Sequence, residues 1–130
     1  MSLQVGLKHK LYEIVTDDRT AKAWGSGTLP VYATPSMVLL MERTSVKCVE
    51  EHLEEGETTV GIKLDISHVS ASPVGMTIYC ESELVEIDRK RLVFRVKAYD
   101  EVGKVGEGIH ERFIVDAEKF MKKTDGKRSN

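Results

Sequence analysis

The stretch "ATPSMVLLMERTSV", residues 33–46, constrains the fold more than any other part of the chain. Thr34 followed by Pro35 is a helix-start signal. The hydroxyl can cap the first turn, and proline's missing N–H costs nothing there. Helical spacing continues to about Leu53, and Gly56 supplies a stop. About 18 residues rise roughly 27 Å. Met37, Val38, Leu39, Leu40 and Met41 make the first half apolar on nearly every side. The second half is amphipathic, with Val46, Val49 and Leu53 set among Lys47, Glu50, Glu51 and Glu54. A helix this apolar must be covered on most of its surface. Whatever else the chain forms has to wrap it.

The remaining segments are β-like. "VGLKHKLYEIV" alternates through Val5, Leu7, His9 and Leu11. "ETTVGIKLDISHV" alternates strictly, which puts Val60, Ile62, Leu64, Ile66 and His68 on one face. "GMTIYCESELVEI", "RLVFRVKAYD" and "GEGIHERFIVD" complete the set, with polar turns at 88–90 and 100–104. Short turns imply antiparallel neighbours. "TDDRTAKAWGSGTLP" reads as loop with one helical turn, and "AEKFMKK" as a short closing helix. The order is strand, loop, long helix, four strands. It predicts one α+β domain over residues 1–122, with about five antiparallel strands wrapped around one central helix, which is the hotdog layout. Residues 123–130 read as a polar, disordered tail.

Composition closes off several classes. A chain of 130 residues with a formal net charge of -2 has no nucleic-acid-binding charge excess, and no apolar run is long enough to span a bilayer. "MSLQVGLKHK" lacks the apolar core of a signal peptide. Cys48 and Cys80 are the only cysteines and have neither zinc nor disulfide spacing. A reduced, cytoplasmic protein that uses no metal or cofactor is the expectation.

Against this background a few residues stand out. Glu42 carries a carboxylate into the apolar helix, where ionisation needs a cation or another partner. His68 ends the inner row of its strand, a rim position suited to proton transfer. Thr34 is a helix cap, and the helix start beside it, with Ser36, could also receive an acyl carbonyl. Gly61 interrupts a strand, as at a bulge or where a ligand approaches the backbone. His110 and Arg112 share a strand face and could meet an anion or pair with glutamates of a neighbouring strand. Arg89, Lys90 and Arg91 form a basic turn, read as a solvated hairpin tip.

"VYATPSMVLLME", "VGIKLDISHVSASPVG" and "GEGIHERFIV" together carry a resemblance. The chain resembles, from about Val5 to Phe120, the fluoroacetyl-CoA thioesterase-like family of hotdog-fold thioesterases. The resemblance implies a catalytic set of Thr34, Glu42 and His68, with Gly61 in the acyl pocket. It also implies a homodimer with sites between subunits and a coenzyme A thioester as substrate. Glu42 would be nucleophile or base, His68 the proton shuttle, and Thr34 an orienting hydroxyl. Ser36 and Arg112 are the further expected substrate contacts. One departure is evident: the fluoroacetyl-specific enzyme has a longer, Phe-rich lid before its Thr, whereas "AWGSGTLPVYAT" is short and has no Phe. The expected activity is therefore hydrolysis of a short or medium acyl-CoA. The alternative is a non-catalytic acyl-CoA or acyl-carrier binding module, and a hydratase is disfavoured because no His lies in the helix before His52.

Overall fold

The computed structural model describes residues 2–129. Its elements are β1 (Lys8–Ile14), a single-turn α1 (Ala21–Trp24), α2 (Thr34–Val49), β2 (Glu57–His68), β3 (Thr77–Asp88), β4 (Arg91–Tyr99), β5 (Lys104–Asp116) and α3 (Ala117–Asp125). The strands form one antiparallel sheet in the order β1-β3-β4-β5-β2. This is the α+β layout of five strands and one long helix that the sequence predicts.

The helix buries Met37, Leu40, Met41, Thr44, Ser45, Cys48 and Val49, a stripe at three- and four-residue spacing. That stripe packs on β3, β1 and β4. It meets Ile78, Cys80 and Leu84 from β3 and Leu92, Phe94 and Val96 from β4, all fully buried. Ser45 and Ser82 share a 2.8 Å hydrogen bond inside this interface, so neither buried hydroxyl is stranded. The helix is not covered all round within one chain. Leu39 is 49% exposed, and Pro35, Val38, Glu42 and Val46 form a half-buried stripe along one flank.

β2 departs from the strict alternation read in its sequence. A bulge between Gly61 and Lys63 inserts one residue into its pairing with β5. An extra residue reverses the facing parity. Thr59 and Gly61 stand opposite the buried Ile114 and Arg112, and beyond the bulge Leu64 stands opposite the buried His110. Val60 and Ile62 therefore do not share a face with Leu64, Ile66 and His68. Ile62 is 51% exposed. The later part of the row keeps the expected direction, so His68 still lies on the inner face.

The C-terminal end also differs from its expected form. α3 is capped by Asp116, whose side chain accepts from Lys119 N–H. It runs to Asp125, and a 3-10 turn follows over Gly126–Ser129, across residues read from sequence as a polar tail. Asn130 and Met1 lie outside the described residues.

Close strand packing makes Gly108 sensitive. A Cβ there would clash with the Asp65 carbonyl oxygen and fall 2.6 Å from Ile66 Cα, both backbone atoms of β2. Gly108→Ala is expected to cost about 1–3 kcal/mol, the usual range for overpacking, read as a lowered urea midpoint at unchanged slope.

Candidate active site

Thr34 stands at the start of α2, but its hydroxyl does not cap the helix. Ala33 occupies the cap position, with no side-chain cap, and Pro35 lies in the first turn. Because Pro35 brings no N–H, the first turn has one fewer donor to satisfy. The Thr34 Oγ1 is free to meet His68 Nδ1 at 2.7 Å. Here the expected cap is corrected to a hydroxyl–imidazole pair. His68 Nε2 is buried and makes no hydrogen bond. The Tyr32 ring packs edge-on against the imidazole at 6.3 Å. A cleft opens beside the pair, lined by Ala21, Val31, Tyr32, Val69 and Ala71.

Tyr32 was not anticipated by sequence reading. Its hydroxyl donates to Glu13 Oε2 at 2.6 Å, and Glu13 also pairs with Arg19 at 3.5 Å. Burial and the Glu13 carboxylate push the Tyr32 phenol far above its ordinary value, so it is a fixed neutral donor. The available signal was parity in β1, where Glu13 continues the inward row of Leu7 and Leu11.

Glu42 lies elsewhere, two turns along the helix. Its Oε2 pairs with Arg112 Nη1 at 3.5 Å, and its side chain is 40% exposed. Arg112 is buried and well held: Nε donates to Thr59 Oγ1 at 2.8 Å and Nη2 to the Thr59 carbonyl at 3.0 Å. Nη1 also lies 3.2 Å from His110 Nε2. Arg112 thus pairs with a helix carboxylate, not with a glutamate of a neighbouring strand. Gly61 faces this group. A Cβ there would sit 3.1 Å from Glu42 Oε2 and 3.3 Å from Arg112 Nη1, so the bare backbone is what leaves room for the pair.

Two half-sites result. Thr34 and His68 touch, Glu42 and Arg112 touch, and Gly61 belongs with the second group. Helix geometry separates Thr34 from Glu42 by roughly 12 Å along the axis. Ser36 joins neither. Its hydroxyl donates to the Arg19 carbonyl at 3.1 Å and accepts from Trp24 Nε1 at 2.8 Å, which pins the α1 segment to the helix start.

A family profile described as fluoroacetyl-CoA-specific thioesterase matches residues 15–118. The fluoroacetyl-CoA thioesterase of Streptantibioticus cattleyicolor is 40% identical over 93 residues, which is 72% of this chain and 67% of that one. A solved structure of the fluoroacetyl-CoA thioesterase FlK superposes with a TM-score of 0.91 at 32% identity, covering 98% of both chains. A thioesterase superfamily member from Thermus thermophilus superposes with a TM-score of 0.86 at 28% identity, covering 98% of this chain and 97% of that one. The chain belongs to the fluoroacetyl-CoA-specific thioesterase family.

Within this member of the family the two histidines of the β5–β2 border are held neutral. Burial lowers the His68 pKa from its ordinary 6.5, and the Ser70 backbone opposes it only in part. Burial and then the Arg112 charge lower that of His110, against the Lys63 carbonyl, Glu42 and Glu111. An unfolded chain binds protons on these imidazoles at a higher pH than the folded one does. Their contribution to stability is thus complete above about pH 6.5 and is lost as pH falls through the lower folded values. Urea midpoints measured across pH 4–8 are expected to fall on the acid side. Replacing both histidines by Gln should flatten the part of that fall that begins near pH 6.5.

Proposed function

We propose that the chain is an acyl-CoA thioesterase, hydrolysing a short or medium acyl-CoA to the free acid and CoA with Thr34, Glu42 and His68. The observation that carries this reading is the 2.7 Å Thr34–His68 pair beside a cleft, with His68 Nε2 left without a hydrogen-bond partner. Family membership supports the reaction class. A point mutant of FlK solved with fluoroacetate and CoA matches with a TM-score of 0.86 at 32% identity, covering 91% of this chain and 99% of that one. Glu42 either holds the water whose oxygen attacks the thioester carbonyl, or attacks with its own carboxylate to give an acyl-Glu anhydride that water then cleaves to the free acid, restoring the carboxylate. The Thr34 hydroxyl and the positive end of α2 stabilise the oxyanion. His68 moves the proton that the departing thiolate takes up. No cofactor is needed beyond the CoA that the substrate carries.

The acyl group follows from the segment before Thr34. It has no Phe, and the residues with apolar surface that it brings to the cleft are Ala21, Val31 and the Tyr32 ring. That supports an acyl chain other than fluoroacetyl.

The same reading includes a homodimer in which Glu42 of one protomer faces the Thr34–His68 pair of its partner. The half-buried flank of α2 and the exposed Leu64 and Ile62 of edge strand β2 support it, as does the absence of an intrachain contact from Glu42 to His68 among the described residues. A panel of acyl-CoA esters of rising chain length, followed by thiol release, tests the activity. Glu42→Gln and His68→Ala are each expected to lose about 10²- to 10⁴-fold in kcat. Binding of the esters with no thiol release would leave a binding module instead. Mixing the two inactive variants tests the shared site. Random pairing makes half of the dimers mixed, and each restores one of two sites, so about a quarter of wild-type activity should return. No recovery after subunit exchange would place all three groups in one chain.

A further inference from the structure

His110 is 2% exposed and occupies the inner face of β5, two residues before Arg112. It has no place in the reaction proposed above, yet both ring nitrogens are engaged. Nδ1 lies 2.9 Å from the Lys63 carbonyl and Nε2 lies 3.2 Å from Arg112 Nη1. A guanidinium has donors only, and a carbonyl only accepts. The imidazole must therefore carry its proton on Nδ1 and accept on Nε2. That assignment holds only for neutral histidine. The bulge between Gly61 and Lys63 is the local feature of β2 beside the Lys63 carbonyl.

The guanidinium is held from behind. Thr59 takes Nε and Nη2, His110 takes Nη1, and the same Nη1 faces the Glu42 carboxylate. Facing His110 are Arg112 on its own strand, Glu42 from α2, the Lys63 carbonyl and the Gly61 backbone from β2, and the Phe94 ring from β4 at 6.4 Å. Glu111 is its neighbour in the chain. If Nε2 gained a proton, an N–H would meet an N–H and one cation would face another. The Arg112 fork would lose an acceptor and turn, and the Glu42 carboxylate would lose its fixed partner.

We propose that neutral His110 is a positioning residue, which holds the Arg112 guanidinium and through it the Glu42 carboxylate, and that protonation of His110 at acid pH releases both. The proposal rests on the reading of Glu42 as the working carboxylate. Its structural half, the link from His110 to Arg112, can be observed without activity.

Two variants and one spectroscopic titration test it on the full chain. His110→Phe keeps an aromatic ring but accepts nothing, and kcat should fall roughly ten- to hundredfold, as for loss of one hydrogen bond to a charged group. His110→Gln keeps an acceptor oxygen near Nε2 and cannot titrate, so most of kcat should return. Other groups also titrate, so the test is the difference: the acid limb of kcat/KM on logarithmic axes should be one unit less steep in His110→Gln than in the wild type. In the wild type, nitrogen NMR should show His110 with its proton on Nδ1. Its midpoint should coincide with the pH at which the Arg112 Nε–H signal is lost. A proton on Nε2, an Arg112 signal indifferent to that midpoint, or unchanged kcat in a folded His110→Phe would overturn the proposal. If no acyl-CoA is hydrolysed at all, the functional reading fails, and the NMR titration alone still decides the link between His110 and Arg112.

Discussion

One helix has to serve a sheet wider than itself. Five strands at about 4.8 Å spacing span roughly 19 Å between the outermost two, whereas a helix with side chains is about 10 Å across. α2 lies over β3, β1 and β4, and its buried stripe faces them. The β5–β2 border therefore receives only the flank of the helix. Pro35, Val38, Glu42 and Val46 stand along that flank and are half-buried. Both half-sites lie on this border: His68 and Gly61 on β2, His110 and Arg112 on β5, Thr34 and Glu42 on α2.

The charges there follow from the geometry. A carboxylate on the core-facing stripe would need full desolvation, while one on the outer stripe would have no fixed partner. Position 42 lies between these, and Arg112 reaches it from the sheet at 3.5 Å. Arg112 can be buried because its donors are taken by Thr59 and His110 as well as Glu42, so the cost of removing a guanidinium from water is met by several bonds at once. Gly61 completes the arrangement by lacking a side chain where one would press on the pair. Four strand positions and one helix position thus act together, and a change at any of them is felt at the Glu42 carboxylate.

The legible parts of the sequence were those governed by periodicity. Helical spacing with Thr34 and Pro35 at its start gave α2 to within a few residues, and alternation gave all five strands. The inner direction of His68 was also legible, though for a strand with a bulge the inference from Val60 and Ile62 was unsafe. Alternation records what a straight strand would do, and an inserted residue at Gly61–Lys63 is visible only in the pairing with β5. Thr34 was misread for a related reason. Its sequence neighbourhood fits a cap, and only the approach of His68 from 34 residues away diverts the hydroxyl. Ser36 has the same chemistry two residues on. It becomes a structural pin because Trp24 and Arg19 reach it first. Hydroxyl roles are set by which partner arrives, and that is a tertiary fact.

The pin at Ser36 bears on how the cleft beside Thr34 and His68 is shaped. α1 is a single turn, too short to hold its place alone. It is fixed by the Trp24–Ser36 bond at one end and by backbone pairing of Thr20 with Tyr32 at the other. Tyr32 is in turn fixed by Glu13, and its ring packs against His68. The wall of the cleft and the imidazole thus share one support, which runs from β1 through Tyr32 to the helix start. A cleft built this way has its width set by a braced segment carrying Ala21, Val31 and the fixed Tyr32 ring. Changes in the width of this cleft should then come from the length and bracing of residues 20–33 more than from single substitutions at its surface.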